Sequence, residues 1–215
     1  MNDRPLSPGR LLTHACYVLI IMISSFAIAQ VVGTVLGWIL HTDLLKDSNW
    51  DLSHNYYVVY PIRGAAALAV FLVAVYFFSR MHGYRVAFSL RETMTKSDFI
   101  IETVPAVVLA DGLLYFFAMT FMPSWYLSGW LAALFKLIDP TDIYKVFGGV
   151  YLDPSETLEW ITWKYYIWIQ ILFDVVIAVA AILLMRKGRR AGEVIAQKDH
   201  DKQLAEMRRE SGLDK

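Results

Sequence analysis

The sequence predicts an all-α polytopic membrane protein: a four-transmembrane-helix bundle with an outer-loop interfacial helix and a cytoplasmic C-terminal helix. Three observations carry that expectation. Of the 215 residues, 57% are hydrophobic and 19% charged, against roughly 45–50% and 25% in soluble domains. Four segments are apolar over close to the ~20 residues a helix needs to cross a bilayer, where every backbone amide must be satisfied without water. Lys and Arg alternate between the connecting segments, fifteen on one side against five on the other. Basic connections stay in the cytoplasm, so both termini are expected inside and the chain in the plasma membrane.

The first span, 12–40, contains an uncharged run from Ala15 to Leu40. Arg4 and Arg10 ahead of it, with Ala27 and Ala29 before Gln30, have the outline of a cleaved signal peptide. The apolar stretch outruns a signal segment, however, so an uncleaved helix is expected. The second span, 60–80, has only 16 residues between Arg63 and Arg80, about 24 Å of helix. It therefore extends back to Tyr60, with Pro61 near the first helical position, where a missing N–H costs nothing. Arg63 then lies one turn inside and must snorkel or find a partner.

Ser89 to Glu92 has the spacing of a short cytoplasmic helix start, and Thr95 to Asp98 that of the third span, 98–121. Glu102, Pro105 and Asp111 interrupt this span, and Pro105 is expected to kink it. The outer loop, 122–159, contains Ser124 to Ile138 with Lys136 as its one charge. That stretch is too short to cross, which favours an interfacial or re-entrant helix. Asp153-Pro154-Ser155-Glu156 is a helix N-terminus signature, and the fourth span, 160–186, follows. Trp38, Trp50, Trp125, Trp160 and Trp163 all fall at outer ends, as an aromatic belt does. The membrane domain thus covers 1–186 and a charged tail covers 187–215. The tail is helix-prone, with a thin apolar stripe of Val194, Ile195, Leu204 and Met207 suited to docking.

Chemistry is sought first at the buried acids. Asp111 and Asp174 fall at similar mid-membrane depth, and each costs about 2.5–3.5 kcal/mol at a helix centre. Tyr115 lies one turn after Asp111, Gln170 one turn before Asp174, and Gln30 at comparable depth on the first span. These five residues are the expected binding layer for a cation, a proton or a small solute; the plainer alternative is hydrogen-bonded packing between helices. Glu102 lies on the opposite side of its helix, near the cytoplasmic interface, where snorkelling or an Arg partner is expected. Gly33 and Gly37 form a GxxxG, read as a packing surface for the small residues of the second span.

The histidines (His14, His41, His54, His82, His200) stand at span ends or in loops. No two are expected to face each other across the membrane, which argues against a bis-histidine haem; no cofactor is expected, and the metal assignment is left open. No HExxH, GxSxG, Walker A or GxGxxG occurs; the one catalytic pairing worth naming is Glu102 with His82, and a non-enzyme is expected. Cys16 stands alone, which excludes an internal disulfide. Zero net charge gives no reason to expect nucleic acid. Arg186, Lys187, Arg189 and Arg190 form a juxtamembrane cluster expected to meet anionic inner-leaflet lipid. The functional expectation is transport of a small solute or cation, as a homo-oligomer or as a subunit of a larger transporter. The alternative is a non-catalytic accessory or assembly subunit of a membrane complex.

Overall fold

A chain this apolar satisfies its backbone most readily as helix, since each amide then finds its partner within the segment. The computed structural model describes residues 8–40, 60–90, 96–118 and 158–210, with Leu127 and Leu131. Among them there are four long helices and no strand: α1 (Pro8–Leu40), α2 (Tyr60–Arg85), α3 (Lys96–Ala118) and α4 (Leu158–Glu210). Two stretches are long and apolar enough to cross a membrane, Leu12–Leu40 and Pro61–Ser89, with mean hydropathies of 2.3 and 2.0.

The ends of the helices follow from local chemistry. Pro8 and Pro61 sit in first turns, where proline is tolerated. Asp98 lies in the first turn of α3, and His82 and Arg85 in the last turn of α2, each matching the helix dipole. A π-helical segment, Val86–Leu90, continues from α2. α3 runs unbroken through Pro105, whose side chain is exposed. α4 is continuous over 53 residues, about 80 Å at 1.5 Å per residue, so the basic cluster and most of the tail extend the same helix as Asp174. The outer-loop segment 124–138, the Asp153–Glu156 start and the Arg91–Thr95 connection lie outside the described residues, Leu127 and Leu131 excepted.

The chain divides into two compact units. The first comprises Met1–Ser25, Leu72–Gly112 and Val179–Lys215; the second comprises Phe26–Phe71 and Leu113–Ala178. In the first, the buried stripe of α2 and its π segment (Val75, Ser79, His82, Val86) repeats at helical spacing, as does that of α4 (Ala181, Met185, Arg189, Ala196). These two stripes meet backbone to backbone at glycines. A Cβ at Gly188 would strike the Tyr76 carbonyl, one at Gly192 the Arg80 carbonyl and the Tyr84 amide, and one at Gly83 the Arg189 backbone. Gly188 and Gly192 therefore act as a small-xxx-small pair inside a segment that reads, by composition, as a charged tail. Beyond this contact the Tyr84 hydroxyl donates to Asp199 Oδ2 at 3.2 Å, and the Tyr84 ring stacks on Phe88. The tail thus docks on its own chain as far as Asp199, while residues 201–210 are exposed throughout.

In the second unit the GxxxG of α1 has a different occupant from the one expected. The Arg63 guanidinium lies against Gly37, and its Nε donates to the Gly33 carbonyl at 3.0 Å. The two glycines open a slot for a planar cation, which gives Arg63 a partner inside the chain. Phe71, Ala67 and Ala29 are fully enclosed in this unit.

Gly188→Val and Gly192→Val are expected to lower the thermal unfolding midpoint of the detergent-purified protein, by overpacking worth about 1–3 kcal/mol each. Gly112→Ala, where an added Cβ meets nothing within 4 Å, is expected to leave the midpoint unchanged or raised. Equal midpoints for Gly112→Ala and Gly192→Val would contradict the backbone contact.

Candidate functional site

A polar cluster in the first unit draws on four helical segments. His14 lies in the second turn of α1, His82 in the last turn of α2, Glu102 in the second turn of α3, and Arg189 one turn past the apolar run of α4. All four are enclosed: His14 is 3%, His82 8%, Glu102 2% and Arg189 5% exposed. Helical spacing explains which side chains turn inward. Asp98 and Glu102 are four residues apart on one buried face of α3. His82 follows Ser79 by one turn on the buried stripe of α2, and Arg189 follows Met185 by one turn on that of α4.

Arg189 Nη1 donates to both oxygens of Glu102, at 3.2 Å to Oε1 and 3.5 Å to Oε2. Its Nε lies 3.8 Å from Glu193 Oε1, one turn along α4. Burial pushes the Glu193 carboxyl up, against the pull of Arg189 and Arg190. The Glu102 pairing is the Arg partner expected from sequence. The partner comes from the basic cluster expected to meet lipid, and at Arg189 the anion is a carboxylate of the same chain. Lys187 and Arg190 are exposed and Arg186 half-buried, while Arg189 turns inward because the glycines on either side bring α4 against α2.

Two of the histidines meet at one end of the first unit. His14 Nδ1 and His82 Nε2 stand 3.2 Å apart, with ring centroids 5.3 Å apart in an edge-on arrangement. The Tyr17 ring lies against His82 with centroids 4.8 Å apart. A donor atom from each of His14, His82 and Glu102 lies within 4.8 Å of the other two. The sequence placed both histidines correctly at helix ends but did not pair them. The missing step was depth: α1 begins, α2 ends and α3 begins at one end of the first unit, which puts the three residues level. The depth arithmetic that aligns Asp111 with Asp174 finds this set equally well when applied to histidines.

Several polar atoms of the first unit are enclosed with no hydrogen-bond partner among the described residues: Ser25 Oγ, Ser79 Oγ, Thr103 Oγ1 and Arg189 Nη2. Enclosed groups of this kind carry hydrogen-bonding capacity in an apolar setting, which strengthens every electrostatic interaction there.

The residues expected to form the mid-membrane layer are distributed as follows. Asp111 is half-buried and belongs to the first unit; Asp174 is 9% exposed and belongs to the second, with Gln30 half-buried in that same unit. The side chains of Tyr115 and Gln170 lie outside the described residues. No protein family, curated protein or solved structure matches the chain significantly, so its functional reading rests on these side chains.

Breaking one half of a buried ion pair leaves an uncompensated charge, at a penalty of about 3–5 kcal/mol. Glu102→Gln and Arg189→Gln are each expected to lower the unfolding midpoint, and the double variant to recover much of the loss. Additive losses in that double-mutant cycle would show that the two side chains are energetically independent.

Proposed function

We propose that the chain is a four-span integral membrane protein of the plasma membrane, with both termini cytoplasmic, that moves a small solute or cation. It would act as a homo-oligomer or as a subunit of a larger transporter. The observation that carries this reading is the many large apolar side chains left exposed while ionisable groups are buried beside an apolar core that includes Met22, Phe71 and Val107. Exposed apolar residues line all four helices, among them Ile20 and Val31 on α1, Val73 and Phe77 on α2, Ile101 and Val108 on α3, and Leu172 and Leu183 on α4. Buried polar residues include His14, Ser79, His82, Asp98, Glu102, Thr103, Asp174 and Arg189. A soluble helical domain shares the apolar core but keeps most large apolar side chains off its surface and its charges on it. With hydrocarbon as the solvent, apolar surface is left outside at no penalty, and ionisable groups turn to the interior.

Acids buried or half-buried recur on two of the helices, Glu102 and the half-buried Asp111 on α3 and Asp174 on α4, and intramembrane carboxylates mark ion and proton pathways. Asp111 in the first unit and Asp174 in the second are each proposed as binding groups, with Gln30, Tyr115 and Gln170 as further polar candidates. The accessory-subunit reading draws on one observation of its own. The last ten residues of α4 are fully exposed yet carry Leu204 and Met207, a narrow apolar stripe outside any span.

Reconstitution separates the two. Asp111→Asn and Asp174→Asn are expected to abolish cation or solute flux in proteoliposomes while leaving folding and oligomer size intact. Release of a co-purifying membrane subunit by the same variants, with no flux in the wild type, would favour the accessory reading instead.

A further inference from the structure

Two imidazole nitrogens 3.2 Å apart in an enclosed setting hold one proton between them. If both carried N–H there, the two donors would oppose each other; if neither did, two lone pairs would. The same separation is the bite of a tetrahedral metal. With metal–nitrogen bonds of about 2.0–2.1 Å, adjacent nitrogen ligands stand about 3.3 Å apart. The Glu102 carboxylate completes a set of three donors that all lie within 4.8 Å of one another, so small rotations of side chains bring them onto one ion. We propose that His14, His82 and one oxygen of Glu102 form a binding site for a borderline divalent transition-metal ion of the zinc class. A fourth position would be left to water or another ligand.

Donor chemistry selects the ion. Two neutral imidazoles with one carboxylate suit zinc, cobalt or iron(II), whereas magnesium and calcium take all-oxygen sets. The Tyr17 ring, lying against His82, covers one side of the site. Binding the neutral pair releases no net proton: the ion takes both facing nitrogens, and the proton between them passes, by way of water, to the far nitrogen of the imidazole that donated it, a change of tautomer. Each imidazole then carries its one N–H on the far nitrogen.

Arg189 sets the affinity. Its guanidinium already holds both Glu102 oxygens, so an incoming cation takes one oxygen and leaves Arg189 the other. Two cations on one carboxylate repel, and Asp98, buried one turn before Glu102 on the same face, supplies a second negative charge close by. Arg189 is therefore a positioning residue that weakens the site while holding Glu102 in place. The inference stands on the first unit alone, independent of any transport activity.

The test is zinc binding to the full-length protein in nanodiscs, stripped with chelator and titrated against a chelating dye. One zinc per chain is expected, together with a raised unfolding midpoint. His14→Asn, His82→Asn and Glu102→Gln are each expected to weaken binding at least about tenfold, and Arg189→Gln to tighten it several-fold. Cobalt loading is expected to produce visible absorption bands that His82→Asn abolishes. Unfolding midpoints measured without metal identify any variant that fails to fold. Should Glu102→Gln be one, the histidine variants, whose amides replace one polar contact with another, decide the matter. Wild-type protein that takes up less than one zinc per chain would overturn the proposal, as would histidine variants that bind zinc as tightly as wild type.

Discussion

The approach of two helix backbones at Gly83, Gly188 and Gly192 governs the first unit. Helices carrying ordinary side chains keep their axes 8–10 Å apart, and a guanidinium on one reaches across only by extending along the surface. Where glycine removes the Cβ atoms, the backbones close and the residues between the glycines are pressed inward. Arg189 stands next to Gly188 and three residues before Gly192, so the contact that shortens the gap also aims its side chain into the interior. Glu102 is the answering charge. Without it, the close packing would bury a bare cation, at a penalty larger than the packing returns.

In the membrane setting proposed above, lipid as solvent would explain why such packing is needed at all. Association between apolar helices gains nothing from the hydrophobic effect when hydrocarbon surrounds them, so shape and polar contact must hold the elements together. Both devices are present in each unit. Gly33 and Gly37 admit the Arg63 guanidinium in the second unit; Gly83, Gly188 and Gly192 close the first. In each case glycines and an arginine work together. The small residues provide the space, and the arginine converts that space into a directional bond, to a carbonyl in one unit and to a carboxylate in the other.

Much of this was legible in the sequence, because apolar periodicity and length decide where helices lie. The starts of α2 and α3 were marked by Tyr60-Pro61 and by the capping residues ahead of Phe99, and Glu102 was marked as either snorkelling or paired with an Arg. What escaped was pairing across the chain. Hydropathy describes one segment at a time, so the contact between His14 and His82, sixty-eight positions apart, leaves no trace in either segment. The Gly188–Gly192 pair was hidden for another reason. It sits among Arg186, Lys187, Arg189 and Arg190, and the density of charge there points to a solvated or lipid-facing surface. Composition averages over a helix, whereas burial is decided one face at a time; Arg189 and Arg190 are neighbours in sequence and face opposite ways.

The position of the cluster along the helices matters as much as its composition. His14, His82 and Glu102 each lie within two turns of a helix end, and Arg189 lies just beyond an apolar run. Insertion penalties for ionisable groups are largest at the helix centre and shrink toward the interface, where snorkelling and local water reduce them. A set of charges buried at such a level is enclosed by protein while remaining about a helical turn or two from the ends of the segments that hold it. Asp174, sixteen residues into α4, has no such relief along its own helix. The two groups of polar residues are therefore suited to different tasks. For an ion bound as proposed, the cluster would be reached without opening the helices along their length, whereas one at Asp174 would need a path through them.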